Sequence, residues 1–173
     1  MVGPETQPHI SLQCLDAIRI SLSIEKQGLA FYKKAAKNAK NKEVRELFIQ
    51  LAEEEEEHIR LLSVKEKFLL PALKSRSDSM RQGLEQFMAE ELKGKIFPVA
   101  KGKLAEIPVI EHDFEALDFG IESEKRSIEL LNRLMKQERK IDVRVIFGHL
   151  VVEEKKHLAA LRELKGKLPN RAA

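Results

Sequence analysis

Four glutamates and two histidines recur in this sequence with a spacing that suits metal chemistry. They form two Glu-x-x-His pairs and two single glutamates, related by a shift of 99 residues: Glu55 with His58, Glu154 with His157, Glu25 and Glu124. Residues three apart on an α-helix share a face, so the carboxylate and the imidazole of each pair can reach one ion. Carboxylate oxygens and imidazole nitrogens are ligands of iron and manganese.

The same shift relates the surroundings of these residues. Residues 17–62 lie over residues 116–161 without a gap, and 12 of the 46 aligned positions are identical. Shared helical composition explains part of this identity, but it does not explain why all six candidate ligands lie at matching positions. We therefore interpret the chain as an internal repeat of two similar halves.

The candidate ligands fall on the apolar faces of the helices that carry them. At about 100° per residue, Glu55 and His58 lie on one apolar stripe, whereas the other glutamates of the run 53–57 point away from it or lie at its margin. The other four candidates lie on equivalent stripes. Tyr32, the only tyrosine, shares the stripe of Glu25. Its hydroxyl is predicted either to be an ordinary satisfied core group or to bond a ligand carboxylate and so take a catalytic part.

An apolar interior with four carboxylates and two imidazoles needs a source of positive charge. Burying an unpaired carboxylate costs several kcal/mol, and no lysine or arginine lies at the centre of these stripes. A divalent metal supplies the missing charge. The ligand set favours two iron ions, or manganese or a mixed manganese–iron pair, over structural zinc. Taken singly, each residue also has a structural interpretation, because an acidic run is usually a solvated face and a core histidine is usually hydrogen-bonded.

Long helices must position these residues. The prolines leave residues 9–70 and 109–168 without one, and an interior proline costs roughly 3 kcal/mol in a helix. Asn41 is predicted to cap a helix after a polar break, and Gly166 and Pro169 are predicted stop signals. We predict an all-α chain with four long helices, at 12–39, 42–70, 114–137 and 141–166.

The connection between the second and third long helices covers residues 71–113. It is long enough to run the length of a bundle, which lets these two helices pack in parallel in a four-helix bundle with one long crossover. Within it, residues 80–92 can form a further helix, and the part beyond Phe97 is predicted to be loop. We expect residues 1–173 to form one domain.

Composition excludes several functional classes. The chain has 31 Lys and Arg against 28 Asp and Glu, a net charge of +3, so we expect no nucleic-acid partner. No run of about 18 apolar residues occurs, so we expect no membrane association. The single Cys14 excludes an internal disulfide and a cysteine metal site. It fits a reducing compartment, and we expect a cytoplasmic protein with no secretory signal.

Segments of both halves resemble the rubrerythrin branch of the ferritin-like di-iron proteins. Residues 24–32 and 47–58 are similar to that family's first helical pair, and Glu124 with residues 154–157 is similar to its second. The resemblance covers 17–62 and 116–161 and implies a ferritin-like four-helix bundle that holds two iron ions.

Carried over residue by residue, the resemblance implies that Glu55 and Glu154 bridge the two metals. It also implies the remaining ligands of each ion: Glu25 and His58 for one, Glu124 and His157 for the other. Two features depart from the family's peroxidases. Ser127 stands where these usually have an extra carboxylate, and one cysteine leaves no rubredoxin domain in this chain.

Three functions follow as expectations. The favoured one is a non-haem di-iron oxidoreductase that reduces peroxide or dioxygen with electrons from an external redox protein. The alternatives are a ferroxidase that handles iron, and a non-enzymatic, metal-stabilised bundle that acts as a binding or structural module. We further expect a homodimer or a higher homo-oligomer.

Overall fold

A computed structural model of the chain describes residues 12–71, 78–92, 95–97 and 112–168. The helices are α1 (Cys14–Asn38), α2 (Lys42–Leu69), α3 (Asp78–Phe87), which continues as a π-helical turn (Met88–Leu92), α4 (Asp113–Gln137) and α5 (Ile141–Lys167). The described residues contain no strand, which confirms the all-α class. None of the helices in these ranges combines the length and apolar character needed to cross a membrane.

The ends of the long helices lie within two residues of the predicted positions. Asn41 caps α2, as predicted, because its side chain accepts a hydrogen bond from the backbone N–H of Val44 at 3.1 Å. Gly166 does not end α5, which continues to Lys167. A single glycine costs about 1 kcal/mol relative to alanine within a helix and does not by itself stop it. Pro169, the other predicted stop signal, lies outside the described residues.

Side-chain contacts near the helix ends show that each helical pair is antiparallel. Arg19 near the start of α1 pairs with Glu66 near the end of α2 at 3.0 Å. Lys165 near the end of α5 likewise pairs with Asp118 near the start of α4. Short links of three residues join the helices within each pair, and links of this length are typical of antiparallel neighbours.

Contacts between the two helical pairs show the relative direction of α2 and α4, which the long crossover connects. Asp113 at the start of α4 accepts hydrogen bonds from the backbone N–H groups of Lys40 and Asn41, at 3.0 and 2.7 Å. Helices α2 and α4 therefore begin at the same end of the bundle and are parallel. The chain must return along the bundle between them, which confirms the ferritin-like four-helix bundle with one long crossover.

The predicted apolar stripes form the core. Val44, Phe48 and Leu51 of α2 are buried, and so are the residues at the equivalent positions of α5: Val143, Phe147 and Leu150. A helix in a bundle gains most of its stability from burying such a stripe. These stripes hold the candidate ligands at mid-length of the helices.

The crossover adds side chains to the core rather than only connecting helices. The helix predicted at 80–92 is present as α3 and the π-helical turn, and Leu84, Leu92, Ile96 and Phe97 are buried. The Phe97 ring lies 5.6 Å from that of Phe31, centroid to centroid. The loop predicted beyond Phe97, residues 98–111, lies outside the described residues.

Candidate metal centre

The fold brings all six candidate ligands into one cluster. They form two overlapping groups, and within each group one potential ligand atom per residue lies within 4.8 Å of all the others: Glu25, Glu55 and His58 in one, and Glu55, Glu124, Glu154 and His157 in the other. Glu55 belongs to both groups. Each of the four long helices contributes at least one of these residues, so the cluster forms only when the bundle is assembled.

The cluster is almost completely removed from solvent. The four glutamates and His157 are each at most 1% exposed, while the His58 side chain is 21% exposed. Within the acidic run, Glu55 is buried and Glu53, Glu56 and Glu57 are exposed, as the helical periodicity predicts. The cluster therefore approaches solvent on the side of His58.

Both histidines turn the same ring nitrogen toward the carboxylates. His58 Nδ1 lies 3.3 Å from Oε1 of Glu25. His157 Nδ1 lies 3.5 Å from Oε1 of Glu55, 3.6 Å from Oε1 of Glu124 and 3.8 Å from Oε2 of Glu154. These distances bring the two imidazoles and the four carboxylates close enough to share ions.

Many buried atoms of the cluster have no hydrogen-bond partner among the described residues. Seven such atoms belong to the candidate ligands: both oxygens of Glu25, one oxygen each of Glu55, Glu124 and Glu154, and Nδ1 of His58 and of His157. Buried polar atoms in folded proteins are nearly always paired. Five carboxylate oxygens and two imidazole nitrogens form the donor set that hard divalent ions bind, so the residues present fit a pair of iron or manganese ions.

Burial changes the proton affinity of the carboxylates. Burial, with the nearby charge of Glu154, raises the pKa of Glu25 to about 7 although His58 opposes the shift. Burial and the charge of Glu154 also raise the pKa of Glu124 well above its usual range. Burial favours a raised pKa for Glu154 too, but the interactions with Glu124 and His157 outweigh it, so the pKa of Glu154 is lowered.

Both histidines have raised pKa values, although burial alone would lower the pKa of an imidazole. The Glu25 carboxylate, whose Oε1 lies 3.3 Å from Nδ1, raises the pKa of His58. Burial lowers the pKa of His157, but the nearby carboxylates of Glu124 and Glu154 overcome this effect and raise the pKa to about 10. The metal-free cluster thus holds protons where bound cations would otherwise balance the carboxylates.

Tyr32 bonds to a candidate ligand. Its hydroxyl donates a hydrogen bond to Oε1 of Glu124, across the bundle from α1 to α4. The side chain is fully buried, and burial together with the Glu124 charge raises the pKa of Tyr32 well above its usual value. The bond satisfies the buried hydroxyl and joins it to a cluster carboxylate, and a catalytic part for Tyr32 stays a prediction.

Two residues at repeat-equivalent positions support the cluster in different ways. Ser127 donates a hydrogen bond from its hydroxyl to Oε1 of Glu154 at 2.8 Å. At the equivalent position of α1, a Cβ atom on Gly28 would lie only 2.6 Å from Oε1 of Glu55. Neither the hydrogen bond from Ser127 nor the close approach of Glu55 to Gly28 was predicted, although both positions lie one turn after a candidate ligand and share its helix face.

Glu54 and Glu153 also contact the histidines. Oε2 of Glu54 lies 3.2 Å from Nε2 of His157, and Oε2 of Glu153 lies 3.9 Å from Nε2 of His58. The helical periodicity placed Glu54 only at the margin of its stripe. The signal that points to both residues is their identity in the internal repeat.

The comparisons with known proteins agree with this arrangement. A family model for rubrerythrin matches residues 16–165, a range that contains all six candidate ligands and both halves of the repeat. Neither the comparison with curated proteins nor that with solved structures finds a match. Because the family model spans most of the chain, this protein belongs to the rubrerythrin family.

Proposed function

We propose that this protein is a non-haem di-iron oxidoreductase that reduces peroxide or dioxygen with electrons from a separate donor protein. The observation that carries the proposal is a cluster in which seven buried atoms of the candidate ligands have no hydrogen-bond partner within the part of the chain that the structure describes. Membership of the rubrerythrin family supports iron as the metal.

The two groups of the cluster suggest which residues hold each ion. Glu25 and His58 would hold one ion, and Glu124 and His157 the other. Glu55 belongs to both groups, which supports its place between the ions. Glu154 would complete the set as a ligand beside Glu55, Glu124 and His157, with which it forms the second group.

A pair of ferrous ions supplies two electrons together, as the reduction of peroxide to water requires. The residues of the chain control access and orientation. Phe48 and Leu51 help to exclude bulk water from the interior. Tyr32 holds the carboxylate of Glu124, and Ser127 holds that of Glu154. A small substrate would enter beside His58, the candidate ligand that reaches solvent.

Electrons would come from another protein. The sequence contains one cysteine, whereas a rubredoxin-type iron site needs four thiolates. The donor would dock near His58, because this candidate ligand reaches solvent.

A ferroxidase is the second candidate, and Ser127 is the observation that favours it. A serine at this position leaves four carboxylates and two histidines in a nearly symmetric set, and the resemblance to peroxidases of the family implied one more carboxylate there. A symmetric site suits the oxidation and release of Fe(II) as well as the reduction of peroxide.

Rapid mixing of the anaerobic, Fe(II)-loaded protein with peroxide or dioxygen tests the proposal. We expect one equivalent of peroxide to oxidise both irons faster than dioxygen does, with the iron retained on the protein. Oxidation that is faster with dioxygen, followed by release of ferric iron and renewed uptake of Fe(II), would contradict peroxide reduction and support the ferroxidase. Glu55→Ala is the control, because it removes the residue shared by both groups.

A further inference from the structure

We propose that Glu54 and Glu153 are positioning residues, each of which orients the metal-binding histidine of the opposite half of the bundle. Glu54 of α2 orients His157 of α5, and Glu153 of α5 orients His58 of α2. This inference rests on the proposed metal centre, since it assigns the residues that direct the two imidazoles toward the ions.

The contacts of His157 show how the orientation works. Nε2 faces Oε2 of Glu54 at 3.2 Å, while Nδ1 lies 3.5 to 3.8 Å from the carboxylates of the cluster. A carboxylate that accepts the proton of one ring nitrogen leaves the lone pair of the other nitrogen free for a metal. Glu54 therefore selects both the rotation of the ring and the tautomer that can bind.

His58 repeats the arrangement with a longer contact. Its Nε2 lies 3.9 Å from Oε2 of Glu153, and its Nδ1 faces Glu25. The rings of His58 and His157 are nearly parallel, with an interplanar angle of 19° and centroids 6.0 Å apart. The longer distance and the partial exposure of His58 indicate that Glu153 restrains its histidine less firmly.

Both glutamates are themselves held by a neighbour on the same helix. Oε1 of Glu54 accepts a hydrogen bond from the side-chain amide of Gln50 at 2.8 Å. Glu153 accepts from Lys156 Nζ at 2.8 Å. The Gln50 contact engages Oε1 of Glu54 and leaves Oε2 to face His157. Lys156 contacts both oxygens of Glu153, which agrees with the longer contact between Glu153 and His58.

The internal repeat provides independent support. Residues 53–57 are all glutamate, whereas the equivalent residues 152–156 are Val, Glu, Glu, Lys and Lys. Within these five positions, glutamate is therefore present in both halves only at the candidate ligand positions, Glu55 and Glu154, and at the positions immediately before them. A solvated acidic face would not need glutamate at these two positions in particular. The contacts of Glu54 with His157 and of Glu153 with His58 explain why both halves have it there.

Titration of the metal-free protein with Co(II), followed by its d–d absorption, tests the inference. We expect Glu54→Ala to weaken binding about 10- to 100-fold, the usual effect of removing a carboxylate that orients a histidine ligand. Glu54→Gln keeps an acceptor oxygen and should recover most of this loss. Glu53→Ala is the matched control, because it removes an exposed carboxylate from the adjacent position and should leave the affinity unchanged.

Nitrogen-15 NMR of the Zn(II)-loaded protein reads the orientation directly. In the unsubstituted protein we expect a protected Nε2–H resonance for His157 and a metal-shifted Nδ1, and in Glu54→Ala we expect the Nε2–H to exchange rapidly. Thermal melts of the metal-free variants monitor folding, since Glu54 is partly exposed and its replacement should leave the melting temperature nearly unchanged.

The possible outcomes separate this inference from the proposed function. Equal affinities of Glu54→Ala and Glu53→Ala, in a protein that binds Co(II), would overturn the positioning role and leave the metal centre standing. A failure of the unsubstituted protein to bind Co(II) or Fe(II) would overturn both.

Discussion

The four carboxylates of the cluster are buried, and burial disfavours an ionised carboxylate that has no opposite charge nearby. Glu25 and Glu124 have raised pKa values because they are buried, and His157 has a raised pKa because the nearby carboxylates of Glu124 and Glu154 outweigh the effect of its burial. Each of these shifts favours the protonated form of the residue. At the scale of single residues, the metal-free protein is therefore stabilised by protons, and bound metal ions would displace them.

This proton binding predicts the pH dependence of the metal-free protein. The pKa of Glu25 is about 7 in the folded state against an ordinary value of 4.5, and that of His157 is about 10 against 6.5. The folded state thus binds more protons than the unfolded state between these values. The stability from Glu25 is fully present below pH 4.5 and is lost as the pH rises through about 7. The stability from His157 is fully present below pH 6.5 and is lost as the pH rises through about 10.

We expect the melting temperature of the chelator-treated protein to fall steadily between about pH 6 and pH 9. Circular dichroism melts across this range measure it, and Glu25→Gln should flatten the part of the slope near pH 7. A melting temperature that rises with pH over this interval would show that the folded cluster does not retain these protons.

Gly28 is required by the close approach of Glu55 to α1. A Cβ atom at position 28 would lie 2.6 Å from the carboxylate oxygen, so Gly28→Ala must displace Glu55. We expect a loss of about 1–3 kcal/mol in the free energy of unfolding and at least about tenfold weaker Co(II) binding. Gly148→Ala is the control, because its Cβ meets only Met135 Sδ at 3.8 Å.

In the control variant, alanine should leave metal binding unchanged and stabilise α5 by up to about 1 kcal/mol. Denaturant unfolding and metal titration measure both variants. If Gly28→Ala binds metal as tightly as Gly148→Ala, the position of Glu55 close to α1 does not matter for the site.

Helical periodicity predicts which face a residue takes but not which atoms of another helix meet it. Periodicity alone selected Glu55 from five consecutive glutamates, and the structure buries that one. The hydrogen bond from Ser127 to Glu154 and the contact between Glu54 and His157 depend on the distance between helices. The internal repeat singles out the position of Glu54, but neither of these contacts could be predicted from one sequence.

At the scale of elements, the crossover is the part that differs most from expectation. Its helix was predictable from a stretch of good helix-forming residues, but the burial of Ile96 and Phe97 was not. A short turn has no periodicity that marks one face as buried. Phe97 contacts Phe31 and Tyr32, so the crossover covers the part of α1 that carries the tyrosine of the site.

Replacement of Phe97 tests this covering role. Phe97 is 2% exposed, and Phe97→Ala should lower the free energy of unfolding by about 3 kcal/mol or more, because it leaves a cavity beside Phe31 and Tyr32. Phe68 of α2 is 83% exposed, so Phe68→Ala should change this free energy by less than about 0.5 kcal/mol. Urea unfolding compares the two, and equal effects would mean that the crossover is not part of the core.

At the scale of the whole molecule, the bundle consists of two similar helical pairs with a common site between them. The internal repeat predicted this pairing, and the long connection predicted the single crossover. The halves differ beside the cluster. In the repeat, Gly28 of the first half is equivalent to Ser127 of the second, and Tyr32 is equivalent to Leu131. Ser127 and Tyr32 bond to cluster carboxylates whereas Gly28 leaves room for Glu55, so the two ions would have unequal surroundings.

The six clustered residues are proposed to hold two metal ions, and this proposal can be tested by counting the ions. Anaerobic titration of the metal-free protein with Fe(II), followed by metal analysis of the isolated protein, measures the stoichiometry. We expect two ions per chain for the unsubstituted protein and for Glu53→Ala. For Glu55→Ala we expect a loss of tight binding, because this glutamate belongs to both groups. Fewer than two ions in the unsubstituted protein, or two tightly bound ions in Glu55→Ala, would contradict the assignment.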